Sequence, residues 1–120
     1  MDQRTSIHEL KEKVKRFCEE RDWDKYHAPK ELATGLIIEA AELLEHFRWK
    51  SGEDSKSLLD DAKKRKEIED ELADILYFVL RLSQKYNIDL TTSLYRKMEE
   101  NAKKYPVEKS RGSKKKYDEL

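Results

Sequence analysis

The chain has 120 residues, no net formal charge at pH 7, and a composition that is 43% charged and 37% hydrophobic. This length suits one domain with one core, and its longest strongly apolar stretch, 75–80, is far too short for a membrane span of roughly 20 residues. Its single cysteine excludes an internal disulfide and a cysteine-based zinc site, which fits a reducing compartment. Because the sequence resembles neither a signal peptide nor a membrane span, we expect a soluble, cytoplasmic protein without membrane attachment.

Two helices are predicted in the first part of the chain. Ser6 and Glu9 form a capping box for a helix over about residues 5–21. Pro29 predicts the first turn of a second helix that runs to about Trp49. The apolar stripe of the first helix is Ile7, Leu10, Val14, Phe17 and Cys18.

Two more helices follow a predicted polar loop at 50–57. The third covers about residues 64–86 and is apolar nearly all round at 75–82, which is typical of a central helix or of one shared with another subunit. Asp89 is the expected N-cap of the fourth, which Tyr105 and Pro106 end. On this helix Leu90, Leu94 and Met98 are expected to face inward. No segment alternates as a strand does, so we predict an all-α four-helix bundle.

Charge divides the chain into an acidic centre and a basic end. Residues 39–74 include 12 acidic and 7 basic residues, whereas residues 103–117 include 7 basic and 1 acidic. An acidic centre that collects cations and a basic end that reaches phosphates suit a metal-bridged polyanion. A solvated, disordered tail is the alternative for the basic end, in which no regular structure is predicted. We divide the chain into a helical domain, 1–106, and a basic C-terminal tail, 107–120.

Two pairs of carboxylates stand at i, i+3 spacing within apolar runs. Glu39 and Glu42 form the first pair, and Glu71 and Asp74 form the second. The same spacing occurs elsewhere in this acidic chain, but here the neighbouring apolar residues predict helix faces committed to burial. Four buried carboxylates would repel one another or become protonated, and a divalent cation removes that conflict.

The donor atoms of these pairs favour a particular class of metal. Oxygen ligands without a cysteine suit Mg²⁺ or Mn²⁺, and Mg²⁺ usually bridges to substrate phosphates. A di-iron site is disfavoured, because it would need Glu-x-x-His on two helices and the third helix contains no histidine. Solvated acidic helix faces remain the alternative without a metal.

Aromatic residues cluster where the first and second helices end. Trp23, Tyr26 and His27 lie in the first connection, and Phe47 and Trp49 precede the second. They could plug the ends of the bundle, or the tryptophans could flank a flat ring, since stacking contributes about 1–3 kcal/mol per base.

The order of these motifs resembles the MazG-like all-α nucleoside triphosphate pyrophosphatases, and among them the dCTP pyrophosphatase branch. The resemblance covers nearly the whole chain. It is carried by Glu20-Arg-Asp-Trp23, Tyr26-His-x-Pro29, Glu39-x-x-Glu42-Leu43, Phe47-x-Trp49-Lys50, Glu71-Leu-x-Asp74, Leu90, Lys97-Met-x-x-Asn101, Tyr105-Pro-Val107, Ser110-Arg-Gly-Ser113 and Lys116-Tyr117.

The resemblance implies hydrolysis of a nucleoside triphosphate between its α and β phosphates, with Mg²⁺ as cofactor. The family's metal-binding and catalytic acids carry over to Glu39, Glu42, Glu71 and Asp74. Members of the family form dimers and tetramers, so a homo-oligomer is expected; no nucleic acid polymer is expected as a partner. The positions of the substrate contacts carry over to Val14, Trp23, Asp24, Lys25, Tyr26, His27, Trp49, Phe78, Lys97, Asn101, Tyr105, Arg111 and Lys116. For Arg111 and Lys116, contact with a neighbouring subunit is the alternative to contact with the triphosphate.

Three departures from the dCTP branch concern the base. Val14 replaces a histidine that touches the base, Phe78 replaces a tyrosine, and Glu31 replaces an asparagine. Losing a polar contact to a base edge relaxes or redirects selectivity. The leading hypothesis is therefore an Mg²⁺-dependent pyrophosphohydrolase that removes a canonical or modified dNTP, with dCTP foremost, from the nucleotide pool. A non-catalytic helical module that binds nucleotides or a protein is the alternative.

Overall fold

The computed structural model describes all 120 residues, and every regular element in it is helical. It forms two compact units, residues 1–87 and 88–120. No helix combines the length and the apolar character that crossing a membrane requires. The α-helices are α1 (Ile7–Glu20), α2 (Pro29–Phe47), α3 (Gly52–Leu58), α4 (Ala62–Lys85), α5 (Leu90–Lys104) and α6 (Val107–Ser110), and 3-10 helices cover Asp24–Tyr26 and Tyr117–Glu119.

Three helix starts predicted from local sequence signals are confirmed. The Ser6 hydroxyl accepts a hydrogen bond from the Glu9 backbone N–H (3.1 Å) at the start of α1. Pro29 occupies the first turn of α2. The Asp89 carboxylate accepts from the Thr92 N–H (2.8 Å) at the start of α5. Each cap satisfies or removes a backbone donor that the first helical turn leaves unpaired.

The core of the first unit lies around α4, which packs against both α1 and α2. Cys18 of α1, Leu32 of α2, and Ile68 and Leu80 of α4 are each at most 4% exposed. The prediction of a central third helix is therefore confirmed. A buried charged residue, Arg81, also lies on this helix, directly after Leu80.

Two predictions about loops are wrong. The segment expected to be a polar loop at 50–57 contains α3, because the Ser51 hydroxyl caps the Asp54 N–H (3.1 Å) and Glu53 and Asp54 favour the helix N-terminus electrostatically. Gly52 reduces the stability of α3 only a little, because it stands at the first position of the helix and not in its interior. The basic tail also contains regular structure, in α6 and in the 3-10 helix that follows it.

The second unit differs from its predicted packing. Leu94 and Met98 of α5 are both 58% exposed, so the expectation that they face inward is wrong. The tail is held within this unit by its aromatic rings, with Tyr105 and Tyr117 edge to face at 6.2 Å between centroids. The Lys104 ammonium lies 4.8 Å from the centre of the Tyr117 ring. The boundary at residue 106 stays a prediction.

Gly35 permits close packing between α2 and α4. A Cβ atom placed on Gly35 would overlap the Phe78 ring, so the ring rests directly against the α2 backbone. Gly35 stands four residues before Glu39, and Phe78 stands four residues after Asp74. This contact therefore lies about 6 Å along each helix axis from the carboxylate pairs.

We expect Gly35→Ala to lower the free energy of unfolding by about 1–3 kcal/mol, because the added methyl group overpacks the Phe78 ring. Urea denaturation of the purified protein measures the change. Gly52→Ala is the matched control, since nothing lies within 4 Å of its added Cβ, and it should keep or raise stability. Equal midpoints for the wild type and Gly35→Ala would contradict this account of the packing.

Candidate functional site

Acidic residues of α2 and α4 come together in the folded chain. One carboxylate oxygen from each of Glu39, Glu42 and Glu71 lies within 4.8 Å of the other two. Asp74 is not part of this tight group, but it is close enough for its charge to act on Glu39. The structure thus brings together three of the four acids predicted as ligands and leaves the fourth beside them.

The chemistry of these acids fits a divalent cation. Glu39 Oε2 and Glu71 Oε2 are buried without a hydrogen-bond partner, which is costly for a carboxylate. Burial raises the pKa of Glu39 from 4.5 to about 7, and the carboxyl groups of Glu42, Asp74 and Glu71 add to the increase. A cation would pair the orphaned oxygens and offset the repulsion. The ligand atoms are all oxygens, which Mg²⁺ and Mn²⁺ prefer.

The apolar surroundings of the acids are less buried than predicted. Leu36 and Leu43 are half-buried, but several large neighbours are about half exposed or more. The extensive helix contacts in this chain join α4 to α2 and to α1, and they leave these apolar side chains accessible. The exposed apolar set, in α2 and α4, consists of Ile37, Ile38, Leu44, Leu72 and Leu76, which are 63%, 51%, 60%, 52% and 44% exposed.

His46 belongs to the edge of the acidic group. Its Nε2 lies 3.8 Å from Glu71 Oε1 and its Nδ1 lies 3.9 Å from Glu67 Oε2. His46 is not among the residues that the sequence predicted for the site. Its spacing of four residues from Glu42, on the same helix face, was the signal that could have placed it here.

A helix C-terminal motif directs Trp23. After α1, Asp22 adopts a left-handed conformation (φ 55°), the Asp22 N–H donates to the Glu19 carbonyl (3.0 Å), and the Trp23 N–H donates to the Cys18 carbonyl (3.0 Å). These are the two hydrogen bonds of a Schellman motif. The Trp23 ring contacts Phe17 edge to face at 5.7 Å, which supplies the hydrophobic contact that accompanies the motif.

Aromatic rings connect Trp23 with the acidic helices. From Phe17 the series continues to Tyr77 (6.2 Å) and from Tyr77 to Phe78 (5.1 Å), each pair edge to face. Val14, Phe17, Tyr77 and Lys13 line a small hollow of about 180 Å³ beside this cluster. The Tyr77 hydroxyl lies 3.1 Å from the buried Cys18 sulfur, so it is occupied in the interior. Tyr77, the residue before Phe78, therefore does not supply the hydroxyl group that a tyrosine at position 78 would have.

The segment 24–27 is attached to the end of α4. The Lys85 ammonium donates to the Asp24 carbonyl (2.6 Å), and the Tyr86 hydroxyl donates to the His27 carbonyl (3.0 Å). Arg81 contributes further contacts that the sequence did not predict. The sequence feature that could have indicated these contacts is the single arginine inside the otherwise apolar run 75–82.

The side chains of three other residues predicted to contact the base take no part in this attachment. Lys25 pairs with Asp22 (3.0 Å), and Tyr26 is 62% exposed. Trp49 is 87% exposed, has a left-handed backbone (φ 68°), and has the Arg48 guanidinium 4.7 Å from its ring centre. Trp49 forms no ring pair within this chain, so the structure does not bring the two tryptophans together.

The predicted phosphate contacts belong to the second unit. Lys97 lies on α5 with its ammonium 3.8 Å from Glu100, and the Asn101 carbonyl accepts a hydrogen bond from the Tyr105 N–H (2.8 Å). Arg111 follows α6 and Lys116 precedes the last 3-10 helix, and both are exposed.

Comparison with known proteins supports the resemblance. A family model described as the MazG-like family matches residues 36–120. The dCTP pyrophosphatase 1 of Rattus norvegicus is 38% identical over 104 residues, and that of Homo sapiens is 34% identical over the same length. Each alignment covers 87% of this chain and 61% of the relative, so this chain spans about three fifths of the length of these curated relatives.

A solved structure agrees with this result. The crystal structure of a pyrophosphatase from Archaeoglobus fulgidus DSM 4304 superposes with a TM-score of 0.78 at 40% sequence identity. The match covers 83% of this chain and 92% of the archaeal one. The family model covers more than half of the chain and the solved structure shares its helical fold, so the chain belongs to the MazG-like family.

Proposed function

We propose that this chain is an Mg²⁺-dependent nucleoside triphosphate pyrophosphohydrolase of the cytoplasmic nucleotide pool. It cleaves a dNTP, foremost dCTP or a modified dCTP, between the α and β phosphates and gives a dNMP and pyrophosphate. Mn²⁺ is the alternative ion. The relatives named as dCTP pyrophosphatases and as a pyrophosphatase support this reaction.

The observation that carries the proposal is the group of close carboxylates on α2 and α4. Glu39, Glu42 and Glu71 would hold the ion, and Asp74 would complete the site. When bound, Mg²⁺ supplies positive charge to the phosphoryl oxygens and lowers the pKa of a bound water. A carboxylate of the group accepts the proton of the attacking water.

The base side of the proposed site is mainly aromatic and apolar. Trp23 and Trp49 offer faces for stacking, and the segment 24–27 adds polar groups. Val14 and Phe78 cannot hydrogen-bond a base edge, and the Tyr77 hydroxyl is occupied by Cys18. Stacking tolerates every base, so we propose that discrimination between bases is modest and comes from the polar groups of the segment 24–27.

The phosphate side is proposed on the basic second unit. Lys97, Asn101 and Tyr105 carry donors on α5 and at its end, and Arg111 and Lys116 add positive charge in the tail. Arginine and lysine bind phosphate through charge-assisted hydrogen bonds. These residues would neutralise triphosphate charge that the metal leaves uncompensated.

We also propose that the chain assembles as a dimer or tetramer through the exposed apolar set of α2 and α4. These residues alternate along α2 and α4 with the proposed metal-binding acids, and exposed apolar residues that together form a patch mark an interface. A second copy of the chain would cover the set and exclude water from the carboxylates beside it.

With Mg²⁺ present, the purified protein should release pyrophosphate from dCTP or a related dNTP. Glu42→Ala and Asp74→Ala should lower turnover by at least about 100-fold, because each removes a charge that holds the ion and phosphate. Glu45→Ala is the matched control, since Glu45 lies on α2, is 62% exposed and pairs with Arg48, and it should keep wild-type turnover. The absence of turnover across a dNTP panel, with Mg²⁺ or Mn²⁺ present, would reject the proposal.

The affinity for Mg²⁺ should depend on pH below about 7. The raised pKa of Glu39 means that a proton occupies this ligand at lower pH and must leave when the ion binds. We expect apparent affinity to fall by up to about tenfold per pH unit below pH 7 and to level off above it. Titration calorimetry in buffers of different ionisation enthalpy measures both affinity and proton release. Equal affinities at pH 6 and pH 8, without proton release, would be inconsistent with this role of Glu39.

Multi-angle light scattering should give a mass that is a multiple of 14.4 kDa. Leu44→Lys should shift the protein toward the monomer, because it places a charge in the exposed apolar set. Val107→Lys changes an even more exposed apolar residue outside the set and should leave the mass unchanged. A wild-type mass of one chain would rule out the proposed assembly.

A further inference from the structure

Arg81 is a charged residue in the core of the first unit. It is only 1% exposed and lies on α4 beside Leu80, which is 3% exposed. Removing a guanidinium from water costs several kcal/mol unless its charge and its N–H groups are paired. The partners of Arg81 therefore decide whether this packing is stable.

All three nitrogens of Arg81 donate to side chains. Nη2 donates to Asp24 Oδ1 (2.9 Å), Nε donates to His27 Nδ1 (2.9 Å), and Nη1 donates to Gln84 Oε1 (2.6 Å). Asp24 is the only anion among these partners. Two of the three acceptors thus belong to the segment 24–27, more than 50 residues away in sequence.

Neighbouring residues of α4 bind the backbone of the same segment. Lys85 donates to the carbonyl of Asp24 and Tyr86 donates to the carbonyl of His27, so both ends of the short 3-10 helix are attached. The His27 ring also contacts Trp23 edge to face at 6.4 Å. Movement of the segment would break several of these contacts at once and leave Arg81 buried without its anion.

The contact with Arg81 determines where His27 carries its proton. A guanidinium has no acceptor, so the Nε–H bond to Nδ1 requires a lone pair on Nδ1. Burial lowers the pKa of His27, and the charges of Arg81 and Lys85 lower it further, which favours the neutral ring. A neutral ring with a bare Nδ1 has its proton on Nε2.

We propose that Arg81 is a positioning residue for base recognition: it docks the segment 24–27 on α4 and leaves the Nε2–H group as the ring donor that His27 offers to a bound base. The partner of this donor is an acceptor atom, a ring nitrogen or a carbonyl oxygen, on the base edge. The inference rests on the proposed nucleotide hydrolysis, because it assigns a selecting role within that same site.

Arg81→Lys is the principal test. Lysine keeps the charge but cannot hold Asp24 and His27 together as the planar guanidinium does. We expect KM for dCTP to rise about tenfold and kcat to change by less than about threefold, because ground-state binding is affected rather than chemistry. The ratio of kcat/KM for dCTP to that for dTTP should also change, and Mg²⁺ affinity should not.

Nitrogen-15 NMR of the His27 ring provides a readout independent of catalysis. The wild type should show the Nε2–H tautomer, and Arg81→Lys should show a mixture of tautomers or protonated His27. Arg65→Lys is the control, because Arg65 is also on α4 and ion-paired, with Glu69, but is 60% exposed. It should match the wild type in kinetics and in the NMR spectrum.

The outcomes separate this inference from the proposed function. If the wild type hydrolyses no nucleotide, the proposed function fails and base recognition by this segment fails with it, whatever the His27 spectrum. If the wild type is active and folded Arg81→Lys keeps both the base ratio and the His27 tautomer, only the positioning role is overturned. If Arg81→Lys does not fold, Asp24→Asn removes the anion from an exposed side chain and is expected to show the same changes.

Discussion

The packing of α2 against α4 is constrained by the repulsion between carboxylates that the two helices share. One carboxylate oxygen from each of Glu39, Glu42 and Glu71 lies within 4.8 Å of the other two, and Glu39 and Glu71 each have one buried oxygen without a hydrogen-bond partner. The rest of the first unit opposes this repulsion through the core around Leu32, Ile68 and Leu80 and through the Gly35–Phe78 contact one turn away. These contacts hold the acids of α2 and α4 close to one another.

Features encoded by neighbouring residues could be predicted from the sequence. Ser6, Pro29 and Asp89 act within one helical turn, and their caps appear where the sequence indicates them. The acidic pairs could also be assigned to shared helix faces from their spacing. Ser51 encodes α3 by the same mechanism, but Gly52 and the polar residues that follow it made this segment resemble a loop.

Features that depend on distant partners could not be predicted in this way. An arginine within an apolar run says nothing about acceptors more than 50 residues earlier, and the Tyr77 hydroxyl likewise finds Cys18 across the fold. The apolar residues beside the acids were also predicted to be buried, but several of them are exposed. Hydrophobic periodicity identifies an apolar helix face, but it does not show whether another part of the same chain covers that face.

The left-handed Asp22 between α1 and Trp23 restricts how this protein can diverge. The two Schellman hydrogen bonds fix the number of residues in this connection, so one insertion after Arg21 would separate the Trp23 N–H from the Cys18 carbonyl and move the Trp23 ring away from Phe17. Point substitutions at Val14 or Phe78 leave the number of residues in this connection unchanged. Under the proposed function, new base preferences should therefore arise by exchange of side chains, while the length of this connection stays constant.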